Sequence, residues 1–388
     1  MVRSLHRMIN GLAVICAAAW IYLICARGQF WTGRIRDCAR QPEPRTWPSI
    51  AAIIPARNEA DTIAASLKSL LRQHYPGRLT VIVVDDDSCD GTTAIAMAAA
   101  AGSARQMGVV TSHGPPAGWT GKLWALKQGI AAAEASRPDY LLLTDADIVH
   151  APDTLAWLTK QSLAGGYVLT SLMAKLRCQS PAERGLVPAF VYFFQMLFPF
   201  RWVCQAQSSM AAAAGGCMLI RADALRRVGG IDSVRNALID DCALAAQLKA
   251  IGPIWLGLTD RVRSIRPYHT FADVKRMISR SAYAQLGYSP PLLVATVAGM
   301  ALIFLAPPLL AIFASGWAQV LGWATWLSMA LSFRPMLRFY RLSWLWGLAL
   351  PMIATLYVSY TIDSAYQHLR RRGGQWKGRI HVNAPSLQ

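Results

Sequence analysis

Three long stretches of this 388-residue chain carry no charge: 8–26, 290–333 and 342–362. They constrain the fold first, because a run of about 20 apolar residues makes a helix about 30 Å long, the thickness of a hydrocarbon core. The 44 residues of the middle stretch are too many for one span. Pro307-Pro308 and Ser315-Gly316 are places to break it in two. The expectation is one N-terminal and about three C-terminal membrane helices. The first stretch is longer than the apolar part of a usual signal peptide, and no clean small-residue cleavage site follows, so it reads as an anchor.

Charge supports a membrane setting. Lys and Arg number 39 against 21 Asp and Glu, a net +18. The arginines sit beside the apolar stretches, with Arg27, Arg34, Arg36 and Arg40 after the first and Arg334, Arg338 and Arg341 between the later ones. That placement fits anionic lipid headgroups and the positive-inside rule, not a nucleic-acid face. It puts the region after residue 27 in the cytosol, in a multi-pass protein of the inner, cytoplasmic membrane. Three full C-terminal spans would leave the basic tail on the other side, so one segment is open to a re-entrant or interfacial reading. The eight cysteines form no C-x-x-C pair, which indicates neither a zinc site nor a disulfide framework. The chain divides into an anchor and basic linker (1–46), a catalytic domain (47–285) and C-terminal membrane helices with a basic tail (286–388).

Within 47–285, short apolar runs alternate with amphipathic stretches. Strands are expected at 49–55, 79–84, 107–111, 140–144 and 166–172. Runs this continuously apolar suit a parallel sheet covered by helices on both faces. Ligands of such sheets bind beyond the carboxyl ends of the strands, and the acidic residues fall there.

At the end of the first strand stands "PARNEADTI", with Pro55, Arg57 and Glu59; a turn and helix-favouring charges would account for it. The second ends in "VVDDDSCDGT", where a single helix cap does not explain Asp85, Asp86 and Asp87 together. "GWTGKLWAL" puts Lys122 at a helix start behind a glycine, where backbone N–H groups favour phosphate. "LLLTDADIVHAP" carries Asp145 and Asp147. In a strand, residues i and i+2 point to the same side and can present two carboxylates to one hard cation, Mg²⁺ or Mn²⁺. The alternative is a turn, with Asp147 capping the next helix. His150, without His or Cys neighbours, reads as a surface residue or an extra ligand. Gly215-Gly216 precede a further strand, and Asp240-Asp241 open a helix, as N-terminal charges or as a general base.

Taken in order, Pro55-Ala56-Arg57-Asn58-Glu59, Asp85-Asp86, Gly121-Lys122, Asp145-Ala146-Asp147, Gly215-Gly216 and Asp240-Asp241 resemble the inverting family 2 glycosyltransferases. The details "GWTGK", "AYAQLGYSP", "LRFYRLS" and "GGQWKGR" look most like the hopene-associated subgroup. The resemblance implies an α/β, Rossmann-like domain of the GT-A type and a nucleotide-sugar donor, UDP-linked. It implies a lipid acceptor, possible hopanoid chemistry and no nucleic acid. Pro55, Arg57, Glu59, Asp85, Asp86, Lys122 and Arg280 would hold the donor, Asp145 and Asp147 the Mg²⁺ or Mn²⁺ ion, and Gly215 and Gly216 would adjoin the acceptor. Asp241, next to Asp240, would be the base. Two departures stand out: Asp240 where many relatives have Glu, and the missing Q-x-x-R-W, of which "MISRS" keeps only Arg280. The second favours a single transfer over processive polysaccharide synthesis. "GLVPAFVYFFQMLFPFRWV" (185–203) is open to two readings, an interfacial helix or a packed core helix. A non-catalytic membrane scaffold that keeps the fold is the reading from outside enzymology.

Overall fold

The computed structural model describes residues 2–370, 375–376 and 379–380. Two compact units share the chain. An α/β unit comprises 35–177 and 202–267, with the short antiparallel pair Gln375–Trp376 and Arg379–Ile380. A helical unit comprises 2–34, 178–201 and 268–370. This division cuts across the linear one: 35–46 belongs with the α/β unit, while 178–201 and 268–285 belong with the helices. The first shift has a visible cause, since Asp37 N–H donates to Leu258 O at 3.2 Å and Arg261 pairs with Asp37 at 2.9 Å.

The α/β unit is built on eight strands: β1 Ile50–Ala56, β2 Leu79–Asp85, β3 Gln106–Thr111, β4 Tyr140–Thr144, β5 Ile148–His150, β6 Leu169–Lys175, β7 Cys217–Arg221 and β8 Ile254–Ser264. Their order is β3-β2-β1-β4-β7-β6-β8-β5. The parallel sheet expected from the apolar runs holds for β3, β2, β1 and β4. Beyond β4 two further strands interrupt it: β7 is antiparallel to both β4 and β6, and β5 is antiparallel to β8, while β6 and β8 pair in parallel. Apolar continuity reports burial on both faces, not strand direction. β1 and β2 are buried along their whole length. The strand expected at 166–172 starts later, because Gly166 (φ 61°) ends the helix Thr154–Gly165 in the left-handed region and Tyr167 N–H still bonds back to Ser162 O.

Two antiparallel pairings bring distant residues together. Thr144 faces Cys217, so Asp145, one residue past β4, falls opposite Gly216 just before β7. Ile148 faces Ser264, so Asp147 meets the end of β8, and Ile265 N–H donates to Asp147 O at 2.9 Å.

In the helical unit, two described helices are long and apolar enough to cross a membrane, Arg3–Cys25 and Pro290–Phe313. About four were expected; of the other two long described helices, Gly316–Phe339 is diluted by Gln319, Thr325, Ser328 and Ser332, and Leu350–Leu369 by Thr355, Ser359, Thr361 and Asp363, and neither reaches the same apolarity. Pro307-Pro308 does not break the second apolar stretch. The helix widens instead into a π turn, Ala301–Leu305, and the break falls at Ala314–Ser315. A proline cannot donate to the carbonyl four residues back. Here Trp20 Nε1 donates to Ile303 O at 2.8 Å and Cys16 Sγ to Leu302 O at 3.3 Å, which satisfies carbonyls of that turn. The 185–203 segment is mostly one helix, Pro181–Leu197, opened by a Ser180–Glu183 capping box and continuous through Pro188. Its Tyr192 is fully buried, bonded to Ser332 Oγ at 2.6 Å and stacked edge-on with Phe333. Within the helical unit it is a core helix.

Candidate active site

Four of the motifs meet around one ammonium group. Thr120 caps the helix Gly121–Glu134 by accepting from Leu123 N–H, which sets Lys122 in the first turn. Lys122 Nζ lies 3.0 Å from Asp145 Oδ1 and 3.3 Å from Asp240 Oδ2. Asp241 opens the helix Asp240–Lys249, whose Leu244 and Leu248 are buried as the spacing predicts. Its carboxylate accepts Gly215 N–H and Cys242 N–H, both at 2.8 Å. A Cβ at Gly215 would stand 3.3 Å from both Asp241 Oδ2 and Lys122 Nζ, so the glycine lets the backbone approach the pair. Gly216 does something else: its missing side chain faces Ile148 and Ala174, in the core under the sheet.

These charges tune one another. Burial works against the Lys122 ammonium, but Asp145, Asp240 and Asp241 outweigh it and hold its pKa above the usual lysine range. Burial raises the Asp145 carboxyl, which Lys122 only partly offsets. Asp241 is pushed up to about 6, by burial first and then by Asp240, against the pull of Lys122 and the two N–H groups.

Asp145-Ala146-Asp147 is a turn and not a strand, with Ile148 N–H donating to Asp145 O at 3.2 Å. The same-side argument for the two carboxylates therefore does not apply. Asp145 turns to Lys122, whereas Asp147 accepts Ser264 Oγ at 2.7 Å and lies 3.3 Å from Arg266 Nε. Nor does Asp147 cap the next helix, whose N-cap is Asp153. Among the described residues, no group of three or more His, Cys, Asp or Glu is arranged to hold a metal ion. The donor set still fits Mg²⁺ or Mn²⁺. Mg²⁺ takes one or two carboxylates and completes its shell with water and substrate phosphate, and both aspartates stand at strand ends with hard oxygens. His150 is buried, 3 % exposed, and is no surface residue. Burial lowers its pKa to about 3. It faces Thr144 Oγ1 at 3.0 Å, and that hydroxyl donates to Gly216 O.

The first two motifs are laced together. Asn58 (φ 49°) donates its N–H to Ser88 Oγ and accepts Cys89 N–H; Asp90 accepts Ala60 N–H and Thr92 N–H. Asp85 accepts Ser88 N–H and Thr93 Oγ1–H, holding its own turn. Asp86 is fully buried, 3.5 Å from Arg57 Nη1, which also donates to Asp86 O at 2.5 Å. Pro55 is buried inside β1, opposite Val84. Glu59 accepts Arg266 Nη2 at 2.6 and 2.8 Å and Thr62 Oγ1 at 2.9 Å. Arg280 is the C-cap of the helix Phe271–Ser279, in the helical unit. The sequence reading missed Arg266 and Ser264. Their signal was the polar alternation "DRVRSIRP" at the end of a strand, which has no meaning until β5 pairs with β8.

A mixed sheet with carboxylates, a glycine and a helix-start lysine at its strand ends defines the α/β unit as a glycosyltransferase domain of the GT-A type. Residues 51–229 match the model of glycosyl transferase family 2. A probable glycosyltransferase, YdaM, of Bacillus subtilis is 28 % identical over 211 residues, 53 % of this chain and 47 % of that protein. The 4,4'-diaponeurosporenoate glycosyltransferase of Staphylococcus haemolyticus is 38 % identical over 113 residues, 28 % of this chain and 27 % of the relative. The chain thus spans less than half the length of these curated relatives. Among solved structures, the mannosyltransferase PcManGT of Pyrobaculum calidifontis, in complex with GDP-Man and Mn²⁺, superposes with a TM-score of 0.55. It is 21 % identical and covers 93 % of this chain and 99 % of that one, a likeness of fold.

Proposed function

We propose that the protein transfers a sugar from a nucleotide-sugar donor to the hydroxyl of a lipid, with inversion, at the cytosolic face of a membrane. The observation that carries this reading is the convergence of Lys122, Asp145, Asp240 and Asp241 on one point beside Gly215. A carboxylate whose pKa is about 6 is ionised at neutral pH yet basic enough to accept a proton as a hydroxyl attacks. In the proposed step Asp241 takes the acceptor's proton while the acceptor oxygen bonds to the anomeric carbon. The bond from that carbon to the diphosphate breaks, and a nucleoside diphosphate leaves. Displacement from the face opposite the leaving group inverts the centre. Lys122, with the N–H groups of its helix start, stabilises charge on the departing diphosphate. Asp145, assisted by Asp147, would hold Mg²⁺ or Mn²⁺, which when bound neutralises diphosphate charge. The mannosyltransferase of similar fold from Pyrobaculum calidifontis is in complex with GDP-Man and Mn²⁺.

The lipid acceptor and the multi-pass membrane setting rest on the two apolar helices and on exposed apolar side chains such as Val294, Phe313, Val320 and Leu327. A hopanoid is the acceptor that the motif resemblance singles out. The test is incubation of the purified full chain with a panel of nucleotide sugars and a bacterial lipid extract, followed by mass spectrometry. A glycosylated lipid made by the wild type and not by Asp241→Asn is the expected result. Free sugar release alone, or equal products from both, would overturn the reading.

A further inference from the structure

The chain enters the helical unit for the last time at 268, and its final described residues, Gln375–Trp376 and Arg379–Ile380, belong again to the α/β unit. In a membrane, a segment that begins and ends with the same water-facing unit crosses an even number of times. A helical hairpin supplies two crossings. Pro290–Phe313 passes through Ala314–Ser315 into Gly316–Phe339, which folds back along it. Gln319 Nε2 donates to Ala311 O at 3.2 Å, and Gly322 lies against the backbone of Leu310 and Ala311. The 24 residues of the returning helix rise about 36 Å, and Thr325, Ser328 and Ser332 donate their hydroxyls to carbonyls of the same helix. A third crossing by Leu350–Leu369 would make the number odd.

The contacts of this last helix show where it runs instead. Gly347, just before it, lies against the returning helix: a Cβ there would stand 2.6 Å from Ala330 O. Trp326 Nε1 donates to Leu348 O at 3.3 Å. Ala330 is nine residues short of Phe339, so the chain has climbed back only about 14 Å beside the helix it has just left, with about 21 Å still to go to Gly316. From there Leu350–Leu369 runs to 279–288, the segment that leads into the first crossing. Ser279 Oγ donates to Tyr360 O and Tyr283 N–H to Ser364 Oγ, both at 3.0 Å, and His368 stacks on Tyr288 at 4.3 Å. Charge marks both ends of this excursion, Arg338 and Arg341 before it and Arg370 after it, while Trp344, Leu345, Leu348 and Met352 within it are exposed.

We infer that residues 342–369 form a re-entrant hairpin seated in the cytosolic leaflet: it enters after Arg341, turns at 347–350 short of the far leaflet, and returns to the cytosolic side, with its exposed apolar side chains against the acyl chains of that leaflet alone. This rests on the membrane setting proposed above. The hairpin reconciles a third apolar stretch with a basic tail on the same side as Arg334, Arg338 and Arg341, as the positive-inside rule asks. Backbone can turn at that depth because protein meets its polar groups. Trp326 takes Leu348 O, and the N–H groups of Trp346, Leu348 and Ala349 donate to Ser343 O, Leu345 O and Trp346 O.

The test is labelling of cysteine variants of the full chain with a membrane-impermeant maleimide, in spheroplasts and in inverted membrane vesicles. The exposed Cys25, Cys38 and Cys89 are replaced by serine, labelling is read as the increase over that background, and monodisperse elution in detergent verifies folding. Ser315→Cys, exposed between the two crossings, should react in spheroplasts. Arg370→Cys should react only in inverted vesicles, and Leu348→Cys in neither until a denaturing detergent dissolves the membrane. Arg370→Cys that reacts in spheroplasts makes the last helix a third crossing and overturns the inference alone. Leu348→Cys that reacts in inverted vesicles without detergent puts the turn in water and overturns it too. If Ser315→Cys does not react in spheroplasts, the hairpin 290–339 does not cross, and the membrane setting falls together with the inference.

Discussion

Asp241 accepts two backbone N–H groups and still has its pKa pushed up from 3.8 to about 6, because burial and the Asp240 charge outweigh them. Two consequences follow at this residue. As a base it must be ionised, so kcat should fall as pH drops through about 6, and Asp241→Asn should lower transfer by about 10²–10⁴-fold. For stability the direction is opposite. Between pH 4 and 6 the folded state holds the proton more tightly than the unfolded chain, so stability declines as pH rises, and above 6 the ionised group remains a cost. Asp241→Asn should therefore stabilise the protein at pH 7.5 by about 1–3 kcal/mol, with the gain vanishing near pH 4, as read from denaturant midpoints. Gly215→Ala tests the same point from the other side. Its Cβ would press on Asp241 and Lys122 at 3.3 Å, so activity should fall at least about tenfold while the melting temperature changes little. Most of these residues were visible as motifs, since runs such as Asp85-Asp86-Asp87 and Asp240-Asp241 are costly without a purpose. Their partners were not. Nothing local says that Asp147 faces Arg266 rather than an ion shared with Asp145.

Element by element, strands were legible because buried apolar runs mark them, but direction was not. The reversal of β7 and β5 depends on which strands pair, and periodicity does not encode pairing. Helix continuity was misread at Pro307-Pro308 because the orphaned carbonyls find donors on another helix, Trp20 and Cys16. Trp20→Phe should destabilise the chain by about 1 kcal/mol, measured by thermal unfolding in detergent. Gly322 carries a sharper prediction. A Cβ there would meet Ala311 N at 2.6 Å and the Leu310 carbonyl carbon at 2.9 Å, backbone atoms that cannot swing aside. Gly322→Ala should force apart the helices Ala306–Phe313 and Gly316–Phe339 and cost about 1–3 kcal/mol by the same measurement.

At the scale of the molecule, the net +18 charge and the apolar helices lead to one prediction: the full chain should stay with membranes through a high-salt wash and come off only with detergent. Release by salt alone would reduce the attachment to electrostatics. What the sequence by itself determined is composition-borne: which segments are apolar enough to leave water, which residue types gather at strand ends, and the family those motifs resemble. Only the tertiary structure decided that the chain leaves for the helical unit at 178 and returns at 202 to complete one sheet, and that Asp145 and Asp240 meet at Lys122. It also decided that Asp147 is held by β8. The reason is physical. Burial and charge are properties of a segment, whereas register and ion pairing are properties of two segments that meet only on folding.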